Sequence, residues 1–91
     1  MKKILAVCGQ GLGSSLLIEM NLKDVLANLN RDDLEAAHTN LNSFDPTDTD
    51  ILAVVCGLDL EESIDFDRKI ILQNLFDKNE LETKLESFLA N

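Results

Sequence analysis

Two short runs of the sequence are almost entirely apolar, and glycine follows each of them. The first run, residues 3–7, leads into Cys8 and Gly9, and the second, residues 51–56, ends at Gly57. Apolar runs of this length without polar alternation are typical of strands that are covered on both faces, as strands of parallel sheets are. The two runs therefore favour an α/β fold built around a buried sheet.

The remaining segments predict the other elements of such a fold. Weaker strands are expected at residues 34–41 and 69–72, and helices at residues 14–29 and 77–90. The apolar faces of the two helices comprise Ile18, Leu22, Val25 and Leu29, and Leu81, Leu85, Phe88 and Leu89. The element order predicts a small three-layer α/β sandwich with a four-stranded parallel sheet, Rossmann-like, in a single domain over residues 1–91.

Composition restricts the partners and cofactors of the chain. Its 91 residues carry a formal net charge of −9, which disfavours binding to nucleic acid or to anionic lipid. No apolar stretch approaches the roughly 20 residues of a membrane span, so a cytoplasmic location without direct membrane insertion is expected. One histidine and two separated cysteines argue against a structural zinc site, and no cofactor is predicted.

The segment after the first strand carries the clearest chemical signal. Cys8 is followed by glycines and serines and then by a predicted helix, whose N-terminus can bind a phosphate-sized anion. A helix N-terminus also favours the thiolate form of cysteine, so Cys8 is predicted to be a nucleophile that attacks phosphorus. The phosphate-binding loop is expected to comprise Gly9, Gln10, Gly11, Leu12, Gly13, Ser14 and Ser15.

Three related signatures do not fit this loop. A nucleotide-binding P-loop needs lysine after its last glycine, and the dinucleotide fingerprint needs glycine at the position of Ser14. Cysteine-based tyrosine phosphatases have an arginine at that same position. Without an arginine to clamp the phosphate, the site is predicted to hold a phosphoryl group for a partner rather than to hydrolyse it.

The opening segment KKILAVCGQGLGSSLLIEM, residues 2–20, resembles the phosphocysteine loop of the IIB components of the bacterial phosphoenolpyruvate-dependent sugar phosphotransferase system (PTS). It is similar to the ascorbate-type branch, whose loops have the form Cys-Gly-x-Gly-x-Gly-Ser-Ser. The lactose/cellobiose IIB proteins share the cysteine after the first strand but have a different loop. The rest of the chain agrees in length and element order and offers no second diagnostic motif.

The resemblance implies a phosphoryl carrier with phosphotransferase activity. A phosphohistidine on a IIA protein would donate to Cys8, and phospho-Cys8 would donate to a sugar bound by a membrane IIC permease. The ascorbate-type loop makes an ascorbate-like sugar one candidate. Two alternatives stay open: a non-catalytic module that senses phosphate on a partner, and a thiol redox protein of the arsenate-reductase kind. No motif in the sequence identifies the transported sugar, the oligomeric state or the stability of any complex.

Helix geometry predicts a docking surface beside the loop. Leu16 and Met20 fall on the side of the first helix opposite to its core face, where polar residues are expected. Together with Leu12 they form a predicted apolar patch for partner proteins.

Several other side chains have simpler interpretations. Cys56 is interpreted as a small core residue, with a regulatory disulfide to Cys8 as the alternative. His38 is assigned a surface or pairing role rather than that of a base. An acidic run is interpreted as solvated surface, with a metal site as its alternative; it comprises Asp59, Glu61, Glu62, Asp65 and Asp67.

Overall fold

The strands and helices follow the predicted order, and their ends differ from the predicted ones by no more than one residue. A computed structural model describes residues 1–9 and 13–90. The elements are β1 (Lys2–Cys8), α1 (Gly13–Asn28), β2 (Leu34–Asn40), β3 (Ile51–Gly57), a 3₁₀ turn (Leu58–Leu60), β4 (Lys69–Leu72) and α2 (Lys78–Ala90).

All four strands are parallel and lie in the order β2-β1-β3-β4. The chain runs from β1 to β2 on one side and then crosses back to β3 on the other side of β1. In open α/β sheets this change of direction leaves a crevice at the carboxyl ends of the two central strands, where ligands bind. Cys8 is the last residue of β1 and Gly57 is the last residue of β3, so both lie at this crevice.

The two faces of the sheet are covered differently. Ile4 and Ala6 of β1 pack in one apolar core together with the buried residues of both helices. Leu5 and Val7 point to the opposite face, where the 3₁₀ turn and neighbouring loops supply the covering side chains. Those covering residues are Leu60, Ile64, Phe44 and Phe66. The fold is therefore the predicted α/β sandwich, with both helices in one outer layer and irregular segments in the other.

The buried face of α1 differs slightly from the predicted one. Ile18, Leu22 and Val25 are buried as expected, but Leu26 is also buried and Leu29 is only partly covered. Leu26 follows Leu22 by four residues, so it lies on the same side of the helix one turn further on. In α2, Leu81 and Leu85 are buried, whereas the pair at its carboxyl end, Phe88 and Leu89, is half-buried.

Candidate functional site

Cys8 is held in place by contacts from two neighbouring elements. The backbone N–H of Leu41 donates to the carbonyl oxygen of Cys8 at 2.7 Å, which fixes the end of β1 against the segment after β2. The thiol lies on the α1 side, where it donates to Ser15 Oγ at 3.2 Å; Sγ also lies 3.8 Å from the carbonyl oxygen of Thr39. Cys8 is buried, with 8% of the residue's surface exposed, so these contacts hold the sulfur at the edge of the core.

The N-terminus of α1 meets the carboxyl end of β1 at this thiol. Ser15 lies in the first turn of α1, is completely buried and contacts Cys8 directly. The first turn contains no acidic residue that would offset the partial positive charge of the helix end. Unpaired N–H groups and this partial charge together favour an anion near Cys8.

A cavity of about 220 Å³ opens beside Cys8. Its described lining residues are Val7, Cys8, Gly9, Ser14, Ile18, Gly57, Asp59, Leu60 and Leu75. Of the residues predicted for the site, the structure thus brings Cys8, Gly9 and Ser14 to the cavity wall, with Ser15 packed against the thiol. Gly13 is the first residue of α1 and does not line the cavity. Gln10, Gly11 and Leu12 lie outside the described residues.

Comparison with known proteins identifies the family to which this arrangement belongs. The model of the family "PTS system, Lactose/Cellobiose specific IIB subunit" matches residues 3–87. The chain belongs to the PTS IIB family. A comparison with curated proteins finds no matching relative. Family membership makes the chain a phosphoryl-carrier component of a sugar phosphotransferase system, a system that also contains IIA and IIC components.

Part of the IIB cavity comes from residues that the sequence analysis did not assign to the site. Gly57 ends β3, Asp59 and Leu60 follow it, and all three line the cavity together with Ser14 and Ile18 of α1. Leu75 closes the cavity from the segment between β4 and α2. A signal for the β3 residues was available, because a glycine that ends a strand next to β1 must lie at the same sheet edge as Cys8. Leu75 had no such signal.

The segment that carries Leu75 is held by one carboxylate. Glu80 of α2 accepts hydrogen bonds from the backbone N–H groups of Gln73 at 2.7 Å and Asn74 at 3.0 Å, and from Lys84 Nζ at 2.7 Å. The Lys84 hydrogen bond, followed by the two N–H groups, lowers the pKa of Glu80 to about 2. These contacts fix the chain immediately before Leu75 and so hold one wall of the cavity.

The glycines of the site have different structural roles. None of Gly9, Gly13 and Gly57 adopts the left-handed backbone conformation. A Cβ on Gly13 would meet no described atom within 4 Å, so neither a positive φ nor lack of space explains a glycine there. A Cβ on Gly57 would lie 2.8 Å from Asp59 Oδ1 and 3.0 Å from Leu75 Cδ2. At Gly57, the absence of a side chain therefore allows two cavity residues to approach the end of β3.

Cys56 is a core residue of the IIB domain, as the simpler interpretation expected. It is fully buried, and it packs with Leu5, Val7 and Val54 on the sheet face opposite to α1. Burial raises the pKa of the Cys56 thiol to about 11. Cys8 contacts α1 on the other face. The sheet separates the two sulfurs, which argues against the disulfide alternative.

His38 pairs with an acidic side chain, which is one of the two roles, surface or pairing, that were expected for it. Its Nδ1 lies 3.0 Å from Glu19 Oε1, and Lys23 Nζ lies 3.5 Å from the other oxygen of the same carboxylate. Partial burial raises the pKa of Glu19, but the hydrogen bond and charge of His38 and the charge of Lys23 outweigh it and leave the pKa lowered. This cluster ties α1 to β2 one helical turn beyond Ser15.

The predicted docking residues of α1 lie on the surface. Leu16 is 44% exposed and Met20 is 54% exposed, and Leu17, which the sequence did not single out, is 46% exposed. No group of acidic, histidine or cysteine side chains within residues 1–9 and 13–90 is arranged to hold a metal ion. In the same part of the chain, neither helix is long and apolar enough to cross a bilayer.

Proposed function

We propose that Cys8 is the phosphoryl-accepting residue of this IIB protein. A phosphohistidine of the IIA protein donates the group to Cys8, and phospho-Cys8 passes it to a sugar held by the membrane IIC permease. The observation that carries the proposal is the position of the Cys8 sulfur, which lines the crevice cavity at the N-terminal end of α1. A thiolate there can attack phosphorus while the helix end balances the charge of the transferred group.

The residues around Cys8 have complementary roles in the proposed transfer. The hydroxyl of Ser15 and the carbonyl oxygen of Thr39 orient the sulfur, because each lies within contact distance of Sγ. Ser14 lies on the cavity wall and offers a hydroxyl donor to the phosphoryl oxygens. The proposed phosphate-binding loop runs from Gly9 to Ser15, and its backbone N–H groups supply the remaining donors.

The charge of the cavity wall favours a carrier over a phosphatase. No arginine or lysine occurs among the described lining residues, and the three loop residues outside the described part, Gln10, Gly11 and Leu12, carry no charge. A phosphatase stabilises the transition state of hydrolysis with a bidentate arginine. Phospho-Cys8 without such a clamp is expected to react with water slowly and to wait for its acceptor.

We propose that Leu16 and Met20, with Leu12, dock the IIA donor. Leu16 directly follows Ser15, whose hydroxyl contacts the Cys8 thiol. The patch therefore begins next to the residue that the donor must reach. Large exposed apolar side chains on a helix favour binding to another protein, and methionine adapts to partners of different shape. Leu17 extends this exposed surface.

The acceptor sugar and the cellular setting complete the proposal. The family model names lactose and cellobiose, whereas the loop resembles the ascorbate-type branch, and we propose an ascorbate-like sugar as the acceptor. The sugar is bound by IIC, so its contacts lie on another polypeptide. The chain is proposed to act as one domain in the cytoplasm and to reach the membrane only through IIC.

The Cys8→Ser variant tests the assignment. Serine is nearly isosteric but is not ionised at neutral pH, so phosphate uptake from phosphorylated IIA should be lost while the circular dichroism spectrum stays unchanged. Intact-mass analysis measures the uptake, with Cys56→Ser as the matched control that retains it. Full labelling of the Cys8 variant would refute the assignment. Binding of phosphorylated IIA without transfer would support a sensor, and turnover of arsenate with a thiol reductant would support a redox protein.

A further inference from the structure

The only charged side chain on the described wall of the Cys8 cavity is an acid. Asp59 lies there among apolar side chains, glycines and Ser14. The three residues of the loop outside the described part are uncharged, so the loop itself supplies no lysine or arginine to offset this carboxylate. A cavity that is proposed to receive a doubly negative phosphoryl group thus already contains a negative charge.

The backbone around Asp59 explains how the carboxylate reaches the cavity. The 3₁₀ turn begins immediately after Gly57, and Asp59 is its second residue. A Cβ on Gly57 would lie only 2.8 Å from Asp59 Oδ1, so the missing side chain leaves the space that this carboxylate occupies. Since β1 and β3 are neighbours in the sheet, the end of β3 places Asp59 in the wall of the same cavity as Ser14, which lies in the first turn of α1.

We propose that Asp59 sets the phosphoryl-transfer potential of the carrier, an inference that rests on the proposed role of Cys8. Its carboxylate repels the phosphoryl group on Cys8 and raises the free energy of the loaded form relative to the free thiol. The N-terminus of α1 acts in the opposite direction and favours loading. The balance keeps phospho-Cys8 ready to pass its group to the acceptor instead of trapping it.

The two transfer steps balance around Cys8. In the first, the bond between phosphorus and the donor imidazole nitrogen breaks as the bond between phosphorus and Sγ forms, and the thiol proton ends on the imidazole. In the second, the phosphorus–sulfur bond breaks as a bond to the sugar oxygen forms, and the hydroxyl proton ends on the thiol. Asp59 changes the free energy of the intermediate between these steps and forms no bond in either.

The experiment measures the equilibrium of the first step. Phosphorylated IIA is mixed with the IIB protein until the intact-mass ratio of free to phosphorylated IIB is constant from both directions. Replacement of Asp59 by Asn should shift the equilibrium constant toward phospho-Cys8 by about fivefold at low salt, because the repulsion between the carboxylate and the phosphoryl group is removed and water weakens that repulsion at an exposed side chain. The shift should shrink as salt screens the two charges.

Two matched variants separate charge from structure. Asp59→Glu keeps the carboxylate and should retain most of the wild-type ratio. Asp65→Asn removes the same charge from an exposed residue that does not line the cavity, and it should leave the ratio unchanged.

Each remaining outcome overturns a specific statement. Equal ratios in Asp59→Asn and Asp65→Asn, or a shift that salt does not reduce, would refute the role of Asp59 while leaving that of Cys8 intact. A wild-type protein that takes no phosphoryl group from IIA would refute the proposed function, and the role of Asp59 with it.

Discussion

Cys8 and Cys56 lie on neighbouring strands near the same edge of the sheet, and they differ in the face to which each side chain points. Cys8 faces α1, contacts Ser15 and lines the crevice cavity. Cys56 faces the opposite layer and is enclosed by apolar side chains, where burial raises the pKa of its thiol to about 11. The same side chain is therefore a candidate nucleophile on one face and an inert core residue on the other.

The comparison shows that the position of a residue along a strand decides which face of the sheet its side chain points to. Side chains alternate between faces with a period of two. A shift of one residue therefore moves a side chain from the face covered by the helices to the face covered by irregular segments. Cys8 is the last residue of β1, whereas Cys56 is followed by Gly57 within β3. The chain after β1 then begins a 16-residue helix, and the chain after β3 begins only a short 3₁₀ turn.

The largest expected difference between the two thiols is their rate of alkylation. At pH 8, iodoacetamide should modify Cys8 more than about 100-fold faster than Cys56, because the thiolate is the reactive species and burial disfavours it at Cys56. Peptide mass spectrometry of the wild type, with Cys8→Ser and Cys56→Ser as single-thiol references, measures both rates. Comparable rates would mean that the 3₁₀ turn and loops that cover Cys56 open and expose its thiol.

The second prediction concerns stability at alkaline pH. The pKa of Cys56 rises from an ordinary value of 9.0 to about 11 on folding, so the stabilisation from its protonated form is complete below pH 9. It should be lost as the pH rises from 9 to about 11, with a total loss on the order of 2 kcal/mol.

Urea unfolding between pH 8 and pH 11 measures this loss. The wild type and Cys8→Ser should show it, and Cys56→Ala should show a smaller loss over the same range, although its stability at pH 8 is lower because of the cavity it creates. Parallel pH profiles in all three proteins would argue against a buried Cys56 thiol.

The smallest expected effect is on transfer of the phosphoryl group from IIA to Cys8. It is compared with alkylation of Cys8, which needs no partner protein. Leu16→Asp and Met20→Asp should each raise the IIA concentration needed for half-maximal transfer by about tenfold. Each variant removes apolar surface that would be buried against IIA and puts a carboxylate there, which is costly to bury. Ala27→Asp, on an exposed position further along α1, is the matched control. Alkylation of Cys8 by a small reagent should stay unchanged in all three variants.

Two results would change this interpretation. An unchanged dependence on IIA concentration in both patch variants would place the docking surface elsewhere. Loss of the folded circular dichroism spectrum would mean that Leu16 or Met20 contributes to the core despite its exposure.

The sequence by itself determined the framework of this protein. Continuous apolar runs that end at glycines specified buried parallel strands, and the 3.6-residue spacing of Ile18, Leu22 and Val25 specified the packed side of α1. These signals are local, because each depends on residues that are close in the chain. The same local information placed Cys8 between a strand and a helix N-terminus, and it carried the resemblance to the PTS IIB proteins.

Only the tertiary structure decided which distant residues share the cavity with Cys8. The strand order brought Asp59 to it from the segment after β3 and Leu75 from the segment before α2. It also placed both helices on one face and Cys56 on the other. Contacts of this kind depend on strand pairing across about 50 residues or more of chain, and no periodicity within a single segment records which strands become neighbours.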